Sequence, residues 1–94
     1  MLSFSMKDIP NLPVVFAELL REYREEHGYS QRKLAATIDC ARSYIAYLED
    51  GEHIPSIHTF MLLAGAFGMT PAEFLDELDR RLLEYVAPEQ LRPM

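Results

Sequence analysis

Residues 31–50 read QRKLAATIDCARSYIAYLED, and the order of small, branched and turn-forming residues in this stretch decides how the chain folds. Leu34, Ala35 and Ile38 recur on one helical face behind Ser30, a good N-cap, which predicts a helix from Gln31 to Ile38. Ile45 and Leu48 mark the inner face of a second short helix, from about Ala41 to Asp50, that Gly51 ends. Asp39 stands where the chain must reverse, and aspartate is among the few residues besides glycine that visit the left-handed region. Ala35 is small enough for the two helices to approach closely. The spacing predicts two helices joined by a tight turn, although any compact helical hairpin could share it.

Working outward, Phe16, Leu20 and Tyr23 repeat at the spacing of one buried face and predict a helix from about Leu12 to His27, closed by Gly28. Downstream, Pro55 and Ser56 announce a fourth helix whose apolar residues Ile57, Phe60, Leu63, Ala64 and Phe67 run to Gly68. Thr70, Pro71 and Glu73 supply an N-cap, an N1 proline and a capping-box acid for a fifth. Phe74, Leu78, Leu82 and Tyr85 form one stripe along it, predicting continuation to about Val86. The expected fold is all-α with five helices, the fifth extended. Nothing in residues 12–86 alternates like a strand. In the N-terminal arm, however, Leu2, Phe4 and Met6 alternate with polar residues, so that either a short strand pairs with its copy or an apolar arm lies on the domain.

Ninety-four residues allow one domain with one core, and 49% hydrophobic with 26% charged residues is ordinary globular composition. No run approaches the roughly 20 apolar residues of a membrane span, and the N-terminus has no signal-peptide pattern, so no membrane association is expected. A single cysteine, Cys40, has no internal disulfide partner, which suits a reducing cytoplasm. The net charge of −6 is unusual for a protein that binds nucleic acid, yet its distribution is uneven. Residues 29–56 carry a net charge of only −1; residues 72–94 carry −3 and residues 1–28 carry −2.

Between Phe16 and Leu75 the chain resembles the lambda-repressor-like (Cro-type, XRE) helix-turn-helix proteins. The residues that carry the likeness are Tyr29-Ser30-Gln31, Leu34-Ala35, Arg42-Ser43-Tyr44-Ile45, Leu48-Glu49, Gly51, Pro55-Ser56, Thr59, Ala64, Gly68 and Glu73-Phe74-Leu75. The resemblance implies a lambda-repressor-like helix-turn-helix domain over residues 12–76, an arm over 1–11, and a helix extension with tail over 77–94. It implies a third helix lying in the major groove of double-stranded DNA, with Arg42, Ser43, Ala46 and Tyr47 reaching base edges. Gln31, Arg32, Lys33 and Tyr44 are then expected on the DNA backbone, and Arg24 with Glu49 as a structural salt bridge. The bland alternative leaves Arg32, Lys33 and Arg42 as a solvated face.

Three positions depart from the family pattern. Asp39 stands where glycine is favoured, and Ala41 stands where a serine or threonine usually caps the third helix. The segment Asp50-Gly51-Glu52-His53 is acidic where relatives carry basic residues near DNA.

The remaining candidates are weaker. Cys40 is expected as a packed thiol; His53 and His58 lack further ligands, so no metal is expected. No catalytic set, phosphate loop or cofactor motif is present. Met61, Leu62 and Gly65 make helix 4 apolar nearly all round, and Leu78, Leu82 and Tyr85 add a second apolar surface. They are assigned to a homodimer interface, the alternative being a larger monomer core with the extension folded onto helix 1. The function expected is a sequence-specific transcription regulator, a repressor. The alternative is a protein-interaction module or antitoxin-like protein that keeps the fold and holds a protein partner.

Overall fold

The computed structural model describes residues 9–85, which form five helices: α1 Leu12–Glu26, α2 Gln31–Thr37, α3 Arg42–Glu49, α4 Ile57–Ala66 and α5 Pro71–Glu84. There is no strand among the described residues. The arm with Leu2, Phe4 and Met6, and the tail from Val86 onward, lie outside them. α2, α4 and α5 start where side-chain oxygens accept the first free amides. Ser30 Oγ accepts from Lys33 N at 3.0 Å, Ser56 Oγ from Thr59 N at 3.1 Å and Thr70 Oγ1 from Glu73 N at 3.1 Å. Glu73 completes a capping box by accepting from Thr70 N at 2.8 Å. α1 ends at Gly28, whose φ of +73° lets the chain turn while Tyr29 N donates to Arg24 O at 3.0 Å.

Ladder by ladder, the apolar stripes meet in one core. Phe16, Leu19 and Leu20 of α1 are joined there by Leu34 of α2, Ile45 and Leu48 of α3, Leu63 of α4 and Phe74 of α5. Phe74 is fully buried and anchors an aromatic cluster, stacked on Phe60 at 4.8 Å and edge-on to Phe67 at 5.8 Å. Such aromatic pairs add to what area burial alone contributes. α2 packs on α3, α3 on α1, α4 on α5, and α5 back on α1.

The second half of α5 folds onto α1. Arg81 Nη1 donates to Glu22 Oε1 at 2.9 Å, Arg81 Nε donates to Glu77 Oε2 at 2.8 Å, and the guanidinium lies 5.8 Å from the Tyr23 ring centre. Hydrogen bonds from Arg81 and, secondarily, from Arg80 lower the Glu77 carboxyl from its ordinary value. The helix stops at Glu84, two residues short of the expected end, because Tyr85 takes an extended ψ of 132° and packs its ring back against the core.

This arrangement corrects one interface assignment. Leu78 is 6% exposed and belongs to the protomer's own core, so it is chiefly a core residue, and what little surface it keeps lines an apolar groove beside Phe60 and Leu75. Leu82 and Tyr85 are half-buried against the same core, while Met61, Leu62 and Gly65 remain exposed. α4 therefore buries one side only. A Cβ built on Gly65 meets nothing within 4 Å, so nothing in the protomer requires glycine there.

Between α1 and α3 runs the main polar tie. Glu49 is 7% exposed, and Arg24 grips its carboxylate with Nε to Oε2 at 2.6 Å and Nη2 to Oε1 at 3.2 Å. That pairing holds the arginine charged, above its ordinary value. Arg24 Nη1 also donates to Tyr29 O at 2.9 Å, Gln31 Nε2 to Glu49 Oε1 at 3.0 Å, and Arg21 Nη2 to Glu49 O at 3.0 Å. A planar guanidinium suits such a fork better than an ammonium.

Two outcomes are expected. Arg24→Ala strands a nearly buried carboxylate and should cost about 3–5 kcal/mol in urea unfolding, with Arg24→Lys recovering only part of it. Asp39 has φ +60°, as the turn demands. Asp39→Gly should relieve that geometry and raise stability by about 0.5–1 kcal/mol, the gain being limited because glycine also loosens the unfolded chain. A lowered midpoint would show that the Asp39 side chain stabilises the turn.

Candidate nucleic-acid interface

α3 is short, and its two sides have separate tasks. Ile45, Leu48 and Glu49 are buried, which fixes the helix by its inner side and its C-terminal end. Arg42 and Ser43 are consequently exposed at its N-terminal turn, Tyr47 is 45% exposed, and Tyr44 and Ala46 are half-buried. The structure thus brings the four expected base-reading residues onto the outer side of one helix. The turn that precedes it runs through Asp39, Cys40 and Ala41. As expected from its methyl side chain, Ala41 occupies the N-cap in extended conformation and supplies no cap hydrogen bond. Cys40 packs partly against the core, and burial pushes its thiol up from its ordinary value.

Of the expected backbone-contacting residues, Arg32 and Lys33 are exposed on α2 beside the turn. Gln31 is half-buried and its amide nitrogen is engaged by Glu49. Its role in the structure is to join α2 to the Arg24–Glu49 tie. Arg21 belongs to the same network, its Nε 4.0 Å from Glu49 Oε1, and the sequence reading missed it. The signal was available: Arg21 stands three residues before Arg24, one helical turn away on the same side of α1.

The acidic loop after α3 is also more organised than its composition suggests. Asp50 Oδ1 accepts from Glu52 N at 2.8 Å and lies 3.2 Å from His53 Nδ1. The His53 ring in turn stacks on Tyr47 with centres 3.7 Å apart and planes 15° apart. Tyr47 also stacks on Tyr44, with centres 6.0 Å apart. Asp50 is therefore a loop cap, and one of the two negative charges expected to face DNA is directed into the loop's own hydrogen bonds. Among the described residues no cluster of His, Cys, Asp and Glu could hold a metal, and no helix is long and apolar enough to cross a membrane.

Comparison with known proteins agrees with this geometry. A family model described as Helix-turn-helix matches residues 20–74. The HTH-type transcriptional regulator YgzD of Bacillus subtilis is 36% identical over 50 residues, which cover 53% of this chain and 76% of that protein. The HTH-type transcriptional regulator DdrOP3 of Deinococcus deserti is 32% identical over 62 residues, covering 66% of this chain and 48% of that one, so the chain spans about half the length of that relative. Among solved structures, the restriction-modification controller protein C.AhdI from Aeromonas hydrophila superposes with a TM-score of 0.61 at 35% identity, covering 66% of this chain and 94% of that one. The controller C.Esp1396I, solved as a tetramer in complex with its natural 35 base-pair operator, shares the fold at a TM-score of 0.67 and 22% identity, covering 77% of this chain and 95% of that one. The chain belongs to the lambda-repressor-like, XRE-type helix-turn-helix family of DNA-binding transcription regulators.

Proposed function

We propose that the protein acts as a homodimeric repressor that sets α3 of each copy in the major groove of a short inverted repeat and occupies a promoter. The observation that carries this reading is the division of α3. One side is locked into the core by Ile45, Leu48 and Glu49, while Arg42, Ser43 and Tyr47 are exposed on the other, Tyr47 with its ring stacked on His53. Arg42 can present two parallel donors to a guanine edge, Ser43 can bond either base type, and Tyr47 or Ala46 can touch a thymine methyl. Arg32, Lys33 and Tyr44 set the register on phosphates. The complex of C.Esp1396I with its operator supports an oligomer on DNA as the working form. This reading places the protein in the cytoplasm and assigns it neither catalysis nor a cofactor.

For assembly, the apolar surface best suited to a second copy is a groove of about 290 Å³ lined by Leu12, Ile54, Pro55, Ile57, Phe60 and Leu75. Ile54, Ile57 and Leu75 are 51%, 74% and 55% exposed, more than the 49% and 39% of Met61 and Leu62. A two-fold contact over such a face is self-complementary, and two-fold proteins are what an inverted repeat selects. Ile57 belongs by spacing to the apolar repeat of helix 4, yet its side chain is largely exposed. It opens α4, before the stripe enters the core, and Leu75 stands beside the buried Phe74 on the outer side of α5.

Two measurements test the proposal. In fluorescence anisotropy against a duplex selected from random sequence, Arg42→Ala should weaken the preferred site by about 1–3 kcal/mol and a shuffled duplex far less. A wild-type chain that prefers no duplex at low salt would sink the operator reading and leave the protein-interaction module in its place. In light scattering at micromolar concentration the wild type should be a dimer and Leu75→Asp a monomer of unchanged helicity. A dimer that persists in Leu75→Asp but is lost in Leu62→Asp would move the interface to the outer side of α4.

A further inference from the structure

Tyr47 is the member of the base-reading set whose side chain is held from outside its own helix. An exposed tyrosine on a helix ordinarily samples several rotamers, and fixing one costs conformational entropy on binding. Here the ring is already positioned. His53, six residues later and beyond the end of α3, lies face to face with it at 3.7 Å. The imidazole is in turn oriented by Asp50, 3.2 Å from His53 Nδ1, and Asp50 is fixed by the Glu52 amide at 2.8 Å. Tyr44 is the other aromatic neighbour, with its plane 20° from that of Tyr47. The order Asp50, His53, Tyr47 is thus a chain of support running from a loop to the DNA-facing side of α3.

We infer that His53 is a positioning residue for sequence discrimination: it pre-sets the Tyr47 ring for contact with a base, and the acidic loop Asp50–His53 serves as the support that holds the imidazole in place. The inference rests on the operator-binding reading and deepens it. Tyr47 presents an apolar ring edge, and the chemical feature it fits best is the 5-methyl group of a thymine in the major groove.

The test is a double-mutant cycle on the intact chain, read as the ratio of affinities for the selected duplex and a shuffled one. His53→Ala should lower that ratio about three- to tenfold, the worth of one unfixed side chain, with the shuffled duplex bound as before. His53→Phe, which keeps a flat ring, should restore most of the ratio. In a Tyr47→Ala background, His53→Ala should have no further effect. Replacing thymines of the selected site by uracil one at a time should reveal a single position at which wild type loses affinity and Tyr47→Ala does not. Thermal unfolding followed by circular dichroism establishes that each variant is folded; an unfolded His53→Ala leaves the comparison of His53→Phe with His53→Asn, of which only the former should keep the ratio. If His53→Ala weakens both duplexes equally and does so also without Tyr47, the imidazole is a phosphate contact and the inference is overturned. A wild type with no duplex preference overturns this inference and the operator reading together; a normal ratio in folded His53→Ala overturns this inference alone.

Discussion

The position of α3 depends on the carboxylate of Glu49, where three helices are joined. Arg24 comes from α1, Gln31 from the start of α2, and Glu49 from the last turn of α3. Each donor arrives from a helix whose apolar side is already committed to the core, so the network works as an alignment device on top of hydrophobic packing. Packing alone constrains a short helix poorly in rotation about its own axis, because Ile45 and Leu48 define only a stripe. Two-point binding of Glu49 by a planar guanidinium adds a directional restraint at the end remote from Arg42. The cost of desolvating these charges is offset only while every partner is present, which makes the tie a determinant of geometry more than of net stability.

Net acidity and DNA binding are compatible here because of where the charges are engaged. On the α1–α5 side Glu22 and Glu77 are paired with Arg81, and Glu77 and Glu84 with Arg80. Around α3 the exposed bases Arg32, Lys33 and Arg42 meet two unengaged carboxylates, Asp39 in the turn and Glu52 in the loop, since Asp50 accepts hydrogen bonds within its loop and Glu49 is held by Arg24. Local potential at the duplex depends on charges within about a Debye length, roughly 10 Å at moderate salt, so the distant acids of α5 contribute little.

The fold was legible in the sequence because its signals are local and strong. Thr70, Pro71 and Glu73 write a helix start within four residues, and Asp39 marks a left-handed turn that has a φ of +60°. The Arg24–Glu49 bridge was legible through family likeness, which carries long-range pairings that periodicity cannot. Other features were hidden for physical reasons. Leu78 and Leu82 both look interface-like in sequence, but the packing of α5 on α1 buries the first and half-buries the second. His53 read as a stray loop histidine, because ring stacking across a loop leaves no periodic trace. The outward placement of Arg42, Ser43 and Tyr47 on α3 follows from Ile45 and Leu48 facing inward, whereas no local pattern signals that Gln31 turns toward Glu49.

The exposure of Arg42 and Ser43 has a bearing on how such a protein can change over time. Side chains that touch neither core nor polar tie contribute almost nothing to folding, and surface exchanges of this kind usually fall within about 0.5 kcal/mol. On the proposed operator-binding reading, a lineage can therefore alter its address at these two positions without eroding the frame that displays them. Tyr47 is different. Tied to His53 and through it to Asp50, it can be exchanged freely only if the loop changes with it, so recognition at that position should drift in concert and more slowly than at its neighbours.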